Sequence, residues 1–290
     1  MAKEMKAEAR PVALVTGSSS GFGLLASISL ARAGHRVFSS MRNLSRATKL
    51  SEAAAQAHVE LETVLLDVTE EASIRAAVTE VHERAGRIDV LVNNAGFAMG
   101  GWFEDLALSE LREQFETNFF GLAAVTKAVL PDMRARKSGR IINLASIAGL
   151  LGAPGLSAYC ASKWAVEGLM ESLRFEASPH GVHVVLVEPG LFKTEIFGTN
   201  KRLAVRSRDP ESPNYEATQR YQAMIERMWQ KTTRDPQDVA DLIVHAATVE
   251  KPHLRYLVGG DAKARAMAKR FLPFGVLELA VQKYLGARMR

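Results

Sequence analysis

Thr16-Gly17-Ser18-Ser19-Ser20-Gly21-Phe22-Gly23 is the stretch that decides how this chain is read. It ends the β-branched run Val12–Thr16 and passes at once into a helical pattern, Phe22–Ala33. Glycine lets a backbone turn tightly and approach a ligand, and a helix N-terminus favours negative charge. The turn therefore suits a pyrophosphate, held among Gly17, Ser19, Ser20, Gly21, Phe22 and Gly23. Its spacing is TGxxxGxG rather than GxGxxG. A Gly/Ser loop alone is also an ordinary turn, but its place at the head of a β-α-β unit favours a dinucleotide.

Outward from this turn, Arg36–Ser40, Val59–Leu66, Ile88–Asn93, Arg140–Ala145, Val182–Glu188 and Tyr256–Val258 read as further strands. Most are nearly continuous in apolar residues, as strands covered on both faces are. Helical patterns lie between them at Ser45–Ala57, Glu70–Arg84, Leu108–Arg136 and Ala158–Ser178. This alternation predicts an α/β fold with a doubly wound parallel sheet, right-handed crossovers and ligand at the carboxyl ends of the strands. Residues 191–234 break the rhythm with a long, charged, Pro-containing insertion. Residues 261–290 follow the last strand with none left to feed.

The totals exclude several classes. At 290 residues the chain buries a large core without staples, and its single cysteine, Cys160, rules out an internal disulfide. His35, His58, His82, His180, His183, His245 and His253 are dispersed, so no metal site is expected. The polar start MAKEMKAEAR has no apolar signal region, and no apolar run reaches about eighteen residues, so we expect a soluble, cytoplasmic protein. The net charge of +5 comes mainly from the ends: Lys3, Lys6 and Arg10, then Lys263, Arg265, Lys269, Arg270, Lys283, Arg288 and Arg290. No base-reading motif accompanies it, and no nucleic-acid partner is expected.

Two positions choose the cofactor and four suggest the chemistry. An acidic residue at the end of the second strand would hold the ribose 2′-hydroxyl of NAD. Met41 stands there, followed by Arg42, whose fork suits a 2′-phosphate, so we expect NADP(H) in preference to NAD(H). Tyr159 and Lys163 are four residues apart and share a helix face. A tyrosine pKa of about 10 is too high for a general base at neutral pH, and a nearby ammonium lowers it. Such a YxxxK is common by chance. Ser146 gives it meaning: it ends a buried strand thirteen residues before Tyr159, where its hydroxyl can donate to an oxygen gaining negative charge. Asn118 is polar in a long apolar helix, where asparagine is unfavourable, and so answers a specific demand.

Together these features resemble the short-chain dehydrogenases/reductases (SDR). The motifs are TGSSSGFG at Thr16–Gly23, Asp67 after the third strand, NNAG at Asn93–Gly96, Asn118, Ser146, YCASK at Tyr159–Lys163, and Pro189-Gly190 with Thr194 beyond. Their order and spacing run from Val12 to Gly260. The resemblance implies a Rossmann-type single domain of about seven strands in the order 3-2-1-4-5-6-7. It implies a catalytic set of Asn118, Ser146, Tyr159 and Lys163. Tyr159 would exchange the proton, Ser146 orient the substrate oxygen, and Lys163 tune Tyr159 and hold the ribose. Asn118 would position a water joining Lys163 to solvent. Asp67 and Val68 would meet the adenine, Asn94, Ala95 and Gly96 line the cofactor, and Pro189, Gly190 and Thr194 contact its carboxamide end. Ser40-Met41-Arg42-Asn43 and the extended C-terminus look closest to hydroxysteroid and retinol dehydrogenase-like members.

Residues 1–260 then form the cofactor-binding and catalytic unit, 191–234 its substrate lid, and 261–290 a helical extension. The lid is rich in apolar side chains, Phe192, Ile196, Phe197, Tyr221, Met224, Ile225, Met228 and Trp229, joined by Phe97, Met99 and Trp102. They suit an apolar carbonyl or alcohol substrate (steroid, retinoid, fatty or aromatic) or, equally, the lid's own core. In the tail, Phe271, Leu272, Phe274, Val276, Leu277, Leu279, Val281 and Leu285 fit an interfacial membrane helix or packing on the domain or a second subunit. We expect the packing, in a homodimer or homotetramer. Cys160 reads as a small packing residue. The alternative to an enzyme is an NADP(H)-binding redox sensor or scaffold without turnover, which has no need of both Tyr159 and Ser146.

Overall fold

The computed structural model describes residues 10–196, 198 and 200–288. Of the residues named above, Lys3, Lys6, Phe197 and Arg290 lie outside the described residues, as do the side chains of Leu285 and Arg288.

Seven strands form one parallel sheet: β1 (Val12–Val15), β2 (Arg36–Met41), β3 (Glu62–Leu65), β4 (Val90–Asn93), β6 (Gly139–Leu144), β7 (Val182–Pro189) and β9 (Arg255–Val258). Their order is β3-β2-β1-β4-β6-β7-β9, the expected order once the two short strands outside this sheet are set aside. Successive residues of a strand face opposite sides, and the core divides accordingly. Leu14, Phe38, Leu91, Ile141 and Leu186 pack with α3 (Glu71–Ala85), α5 (Leu122–Arg136) and α6 (Ser157–Ala177) on one face. Ala13, Val37, Val92, Ile142 and Val185 pack with α1 (Gly21–Arg32) and α8 (Gln237–Thr248) on the other. Burial of both faces explains the unbroken apolar runs. The helix α2 (Thr48–Gln56) follows β2.

Two features depart from the expected elements. The pattern Leu108–Arg136 is not one α-helix: α4 (Leu108–Phe115) is joined to α5 through a π-helical turn over Glu116–Gly121. Gly121 permits this path, because a Cβ there would stand 2.7 Å from the Val68 carbonyl oxygen. The insertion at 191–234 has its own structure. Its β8 (Lys201–Leu203) pairs in parallel with β5 (Ala98–Gly100), and its α7 (Tyr215–Lys231) covers that pair's surroundings through Trp102 and Tyr221, whose rings lie 6.2 Å apart. After β9 come α9 (Gly260–Phe271) and α10 (Phe274–Arg288).

Candidate active site

The glycine-rich turn leaves β1 at its carboxyl end, and Thr16 fixes its shape. The Thr16 hydroxyl accepts the backbone N–H groups of Asn94 (2.9 Å) and Ala95 (3.0 Å). Asn94 returns its amide Nδ2–H to the carbonyls of Thr16 (2.9 Å) and Gly17 (3.0 Å). The two motifs TGSSSGFG and NNAG are thus one hydrogen-bonded unit. Gly17 has φ +69°, and a Cβ on Gly23 would lie 2.4 Å from the Gly17 carbonyl oxygen, so neither position admits a side chain. Ser20, in extended conformation, precedes the first turn of α1 and directs its N–H groups along the loop.

A cleft of about 330 Å³ opens over this unit. Gly17, Ser19, Ser20, Gly21, Phe22, Arg42, Asp67, Val68, Asn94, Ala95, Gly96 and Thr194 line it, all expected from the sequence. Gly23, Tyr159, Lys163, Pro189 and Gly190 do not line it. Arg46 does, one turn beyond Arg42, and the sequence reading missed it. An exposed arginine carries no signal by itself; only the turn Leu44–Arg46 brings it to Arg42. Among the described residues neither arginine has a carboxylate partner, whereas Asp67 accepts the N–H and hydroxyl of Thr69 (3.0 and 2.8 Å). The donor set, helix N–H groups at one end and two guanidinium groups at the other, fits a phosphorylated dinucleotide.

The four expected catalytic residues gather beyond the cleft at the end of β6. Ser146 starts the turn Ile147–Gly149 and accepts the Ala148 N–H at 3.1 Å. Its hydroxyl is hydrogen-bonded to that of Tyr159. Tyr159 is 3% exposed, among Ala98, Ala148 and Cys160, with Ile196 of the 191–234 insertion packed against them. Lys163 is equally buried; its Nζ donates to the Leu144 carbonyl at 2.6 Å and stands 5.9 Å from the Tyr159 ring centre. Asn118 lies in the π-helical turn. It accepts the Phe97 N–H (3.1 Å) and donates to the Phe97 carbonyl (3.0 Å) and the Ser162 hydroxyl (3.3 Å).

The electrostatics differ from the expected pattern. Burial pushes the Tyr159 phenol up to about 12, against a smaller lowering from the Ser146 hydrogen bond. Burial likewise pushes Lys163 down to about 8, against the raising influence of Glu167. The expected lowering of Tyr159 by the Lys163 ammonium does not emerge: in an apolar surround, loss of water disfavours the charged form of each group. Tyr159 is therefore a neutral phenol at neutral pH. Burial also raises the Cys160 thiol, which suits a packing residue.

The insertion is tied to the sheet by residues not singled out from the sequence. Asp261, at the start of α9, accepts the Leu191 N–H at 3.1 Å and pairs with Arg234, which donates to the Leu191 carbonyl at 3.2 Å. A Cβ on Gly190 would collide with Asp261 at 2.0 Å. Phe192, Tyr221 and Met224 are buried, and Phe192 meets Phe22 edge-on at 5.7 Å. Phe192 thereby joins the main core on the α1 and α8 face of the sheet, whereas Ile196 packs against the small cluster that contains Tyr159. Among the described residues no cluster of His, Cys, Asp and Glu could hold a metal ion.

A family model described as short chain dehydrogenase matches residues 11–203. The Bacillus subtilis protein described as uncharacterized oxidoreductase YusZ is 40% identical over 279 residues, 95% of this chain and 99% of its own length. Human 17-beta-hydroxysteroid dehydrogenase type 1 is 35% identical, covering 91% of this chain and 80% of its own. The 3-ketodihydrosphingosine reductase of Bacteroides thetaiotaomicron is 34% identical, covering 96% and 98%. Among solved structures, a Burkholderia phymatum short chain dehydrogenase/reductase in complex with NAD has TM-score 0.78 at 26% identity, covering 93% of this chain and 95% of that one. A metagenomic short-chain oxidoreductase in complex with NADP has TM-score 0.67 at 29% identity, covering 86% and 96%.

Proposed function

The chain belongs to the short chain dehydrogenase family, and from that membership we propose that it is an NADP(H)-dependent oxidoreductase interconverting an alcohol and its ketone or aldehyde. The observation that carries this reading is the buried, hydrogen-bonded pair of Ser146 and Tyr159, one helical turn from Lys163 and beyond the cleft over the glycine-rich turn. A pair of hydroxyls in such a place suits proton exchange with a substrate oxygen.

When bound, the nicotinamide exchanges a hydride with the substrate carbon. Tyr159 gives its phenolic proton to the carbonyl oxygen in reduction and takes it back in oxidation. Ser146 donates a hydrogen bond to the same oxygen as negative charge develops there. Lys163, fixed on the Leu144 carbonyl, holds its ammonium near Tyr159 and would hold the cofactor's ribose. The Asn118 side chain is occupied by Phe97 and Ser162, so it braces the helix that carries Lys163. A water relay from Lys163 would use the Asn118 backbone, which the π-helical turn takes out of regular α-helical pairing.

Arg42 and Arg46 would clasp the 2′-phosphate, and Met41 offers no carboxylate to the ribose hydroxyl of NAD. Asp67 and Val68 would meet the adenine, and Pro189 to Thr194 the carboxamide end. Residues 1–260 would be the catalytic unit with 191–234 its lid and 261–290 an extension, acting in the cytoplasm as a homo-oligomer. The substrate would be apolar: Ile196 and Ala98 flank Tyr159, and two relatives are named for a steroid and a long-chain ketone base. A panel of steroid, fatty, aromatic and short polar ketones, each with NADPH and NADH, tests the reading. Turnover confined to short polar ketones or sugars would remove the apolar substrate, and preference for NADH would remove the cofactor assignment.

A further inference from the structure

The last thirty residues set themselves apart by charge and by exposure. Residues 261–290 hold seven basic and two acidic residues, a surplus of five that equals the net charge of the whole chain. The remainder of the protein is balanced.

The first half of this segment is anchored. In α9, Ala262 is buried, Asp261 holds the Leu191 backbone, and Lys269 donates to the Leu150 carbonyl while standing 3.8 Å from the Trp164 ring centre. Most of the segment's large apolar side chains, among the described residues, are not buried. Phe271 is 67% exposed, Phe274 75% and Leu279 67%, with Val276, Leu272 and Met267 also exposed. In α10 only Leu277 and Val281, one turn apart, are partly covered among residues 274–283. At helical spacing the apolar residues lie all round α10, with Glu278, Gln282 and Lys283 interspersed among them, so no polar side is set apart. Water is a poor solvent for such a surface, since contiguous apolar patches of this kind mark an interaction site.

We propose that α9 and α10 dock the protein on the surface of an anionic lipid bilayer. The charge selects this occupant. A second copy of the same segment would bring two surpluses of five positive charges face to face, and the cores of protein interfaces are depleted in lysine and other charged residues. A bilayer with acidic headgroups meets Lys263, Arg265 and Arg270 with opposite charge, while its acyl boundary takes Phe271, Phe274 and Leu279. Trp164, 46% exposed beneath Lys269, is the amphipathic ring favoured at that depth. No helix among the described residues is long and apolar enough to cross a membrane, so the contact is interfacial. It also lies near the reaction chemistry, because α9 packs beside the turn Ile147–Gly149 that Ser146 begins.

The experiment is co-sedimentation of the full chain with phosphatidylcholine vesicles, with and without phosphatidylserine, at low and high salt. Wild type should pellet with the phosphatidylserine vesicles and be released by salt. Lys263→Gln/Arg265→Gln/Arg270→Gln should partition roughly a hundredfold less, the loss of three cations at the surface. Phe271→Ser/Phe274→Ser/Leu279→Ser should also fail to pellet while unfolding at the wild-type temperature, because these side chains support no core. Light scattering on the same variants reads the competing occupant. An oligomer dissociated by the serine substitutions, with wild type indifferent to vesicles, overturns the proposal in favour of a second copy. Equal pelleting of all three proteins, or of none, overturns it as well.

Discussion

Tyr159 and Lys163 stand one helical turn apart, and burial moves their protonation in opposite directions, the phenol up to about 12 and the ammonium down to about 8. A phenol held so firmly protonated is ready to donate but must be deprotonated before it can accept. Carbonyl reduction should therefore stay nearly level from about pH 6 to 8, while alcohol oxidation climbs as the phenolate fraction grows with pH. Parallel pH profiles of kcat/KM in the two directions would contradict this. At the other end of the cleft, Arg42 and Arg46 present guanidinium groups with no carboxylate partner among the described residues. A hydrogen-bonded charge pair contributes about 1.5–3 kcal/mol, so Arg42→Ala should raise the Kd for NADPH roughly tenfold or more and leave that for NADH nearly unchanged. An equal effect on both nucleotides, read by fluorescence titration, would show that Arg42 does not read the 2′-phosphate. Arg42 was legible because it follows a strand end lacking its acid; Arg46 was not, because its position depends on a three-residue turn.

At the scale of elements, α6 carries more than the reactive pair. Glu167 follows Lys163 by one turn and lies beneath Gly149, where it meets Arg255 at 3.1 Å. Glu188 of β7 is fully buried and shares that arginine at 3.3 Å. Burial, then repulsion from Glu167, pushes Glu188 up to about 8. The folded protein thus holds a proton that the unfolded chain releases above the ordinary carboxylate range. The resulting stability is complete at low pH and is lost as pH rises to about 8. Urea unfolding should accordingly show stability falling from about pH 5 to 8, and Glu188→Gln should remove most of that fall. An undiminished slope in the variant would show that another group binds the proton. The strands were legible because burial on two faces writes itself as apolar runs. The π-helical turn and the β5–β8 pair were not, since neither three-residue strands nor a single inserted residue alters periodicity enough to be read.

At the scale of the molecule, two apolar layers on either side of one sheet hold every site residue at the carboxyl edge. Ile141, fully buried in β6 between neighbouring strands and α5, belongs to the layer beneath Ser146. Ile141→Ala should lower stability by about 2–5 kcal/mol, and Leu65→Ala, at a half-exposed site, by about 0.5 or less. Similar losses at both sites in denaturant titrations would contradict the layered core. The order of motifs along the chain was enough to anticipate this architecture, whereas the anchoring of the lid by Asp261 and Arg234 joins residues too distant in sequence to be paired by eye. The central claim is that Tyr159 carries the proton in an NADPH-dependent carbonyl reduction, and the most direct test compares wild type with Tyr159→Phe. Tyr159→Phe should bind NADPH as wild type does while kcat falls roughly 10²–10⁴-fold, the usual contribution of a positioned acid. Turnover within a few fold of wild type would contradict it.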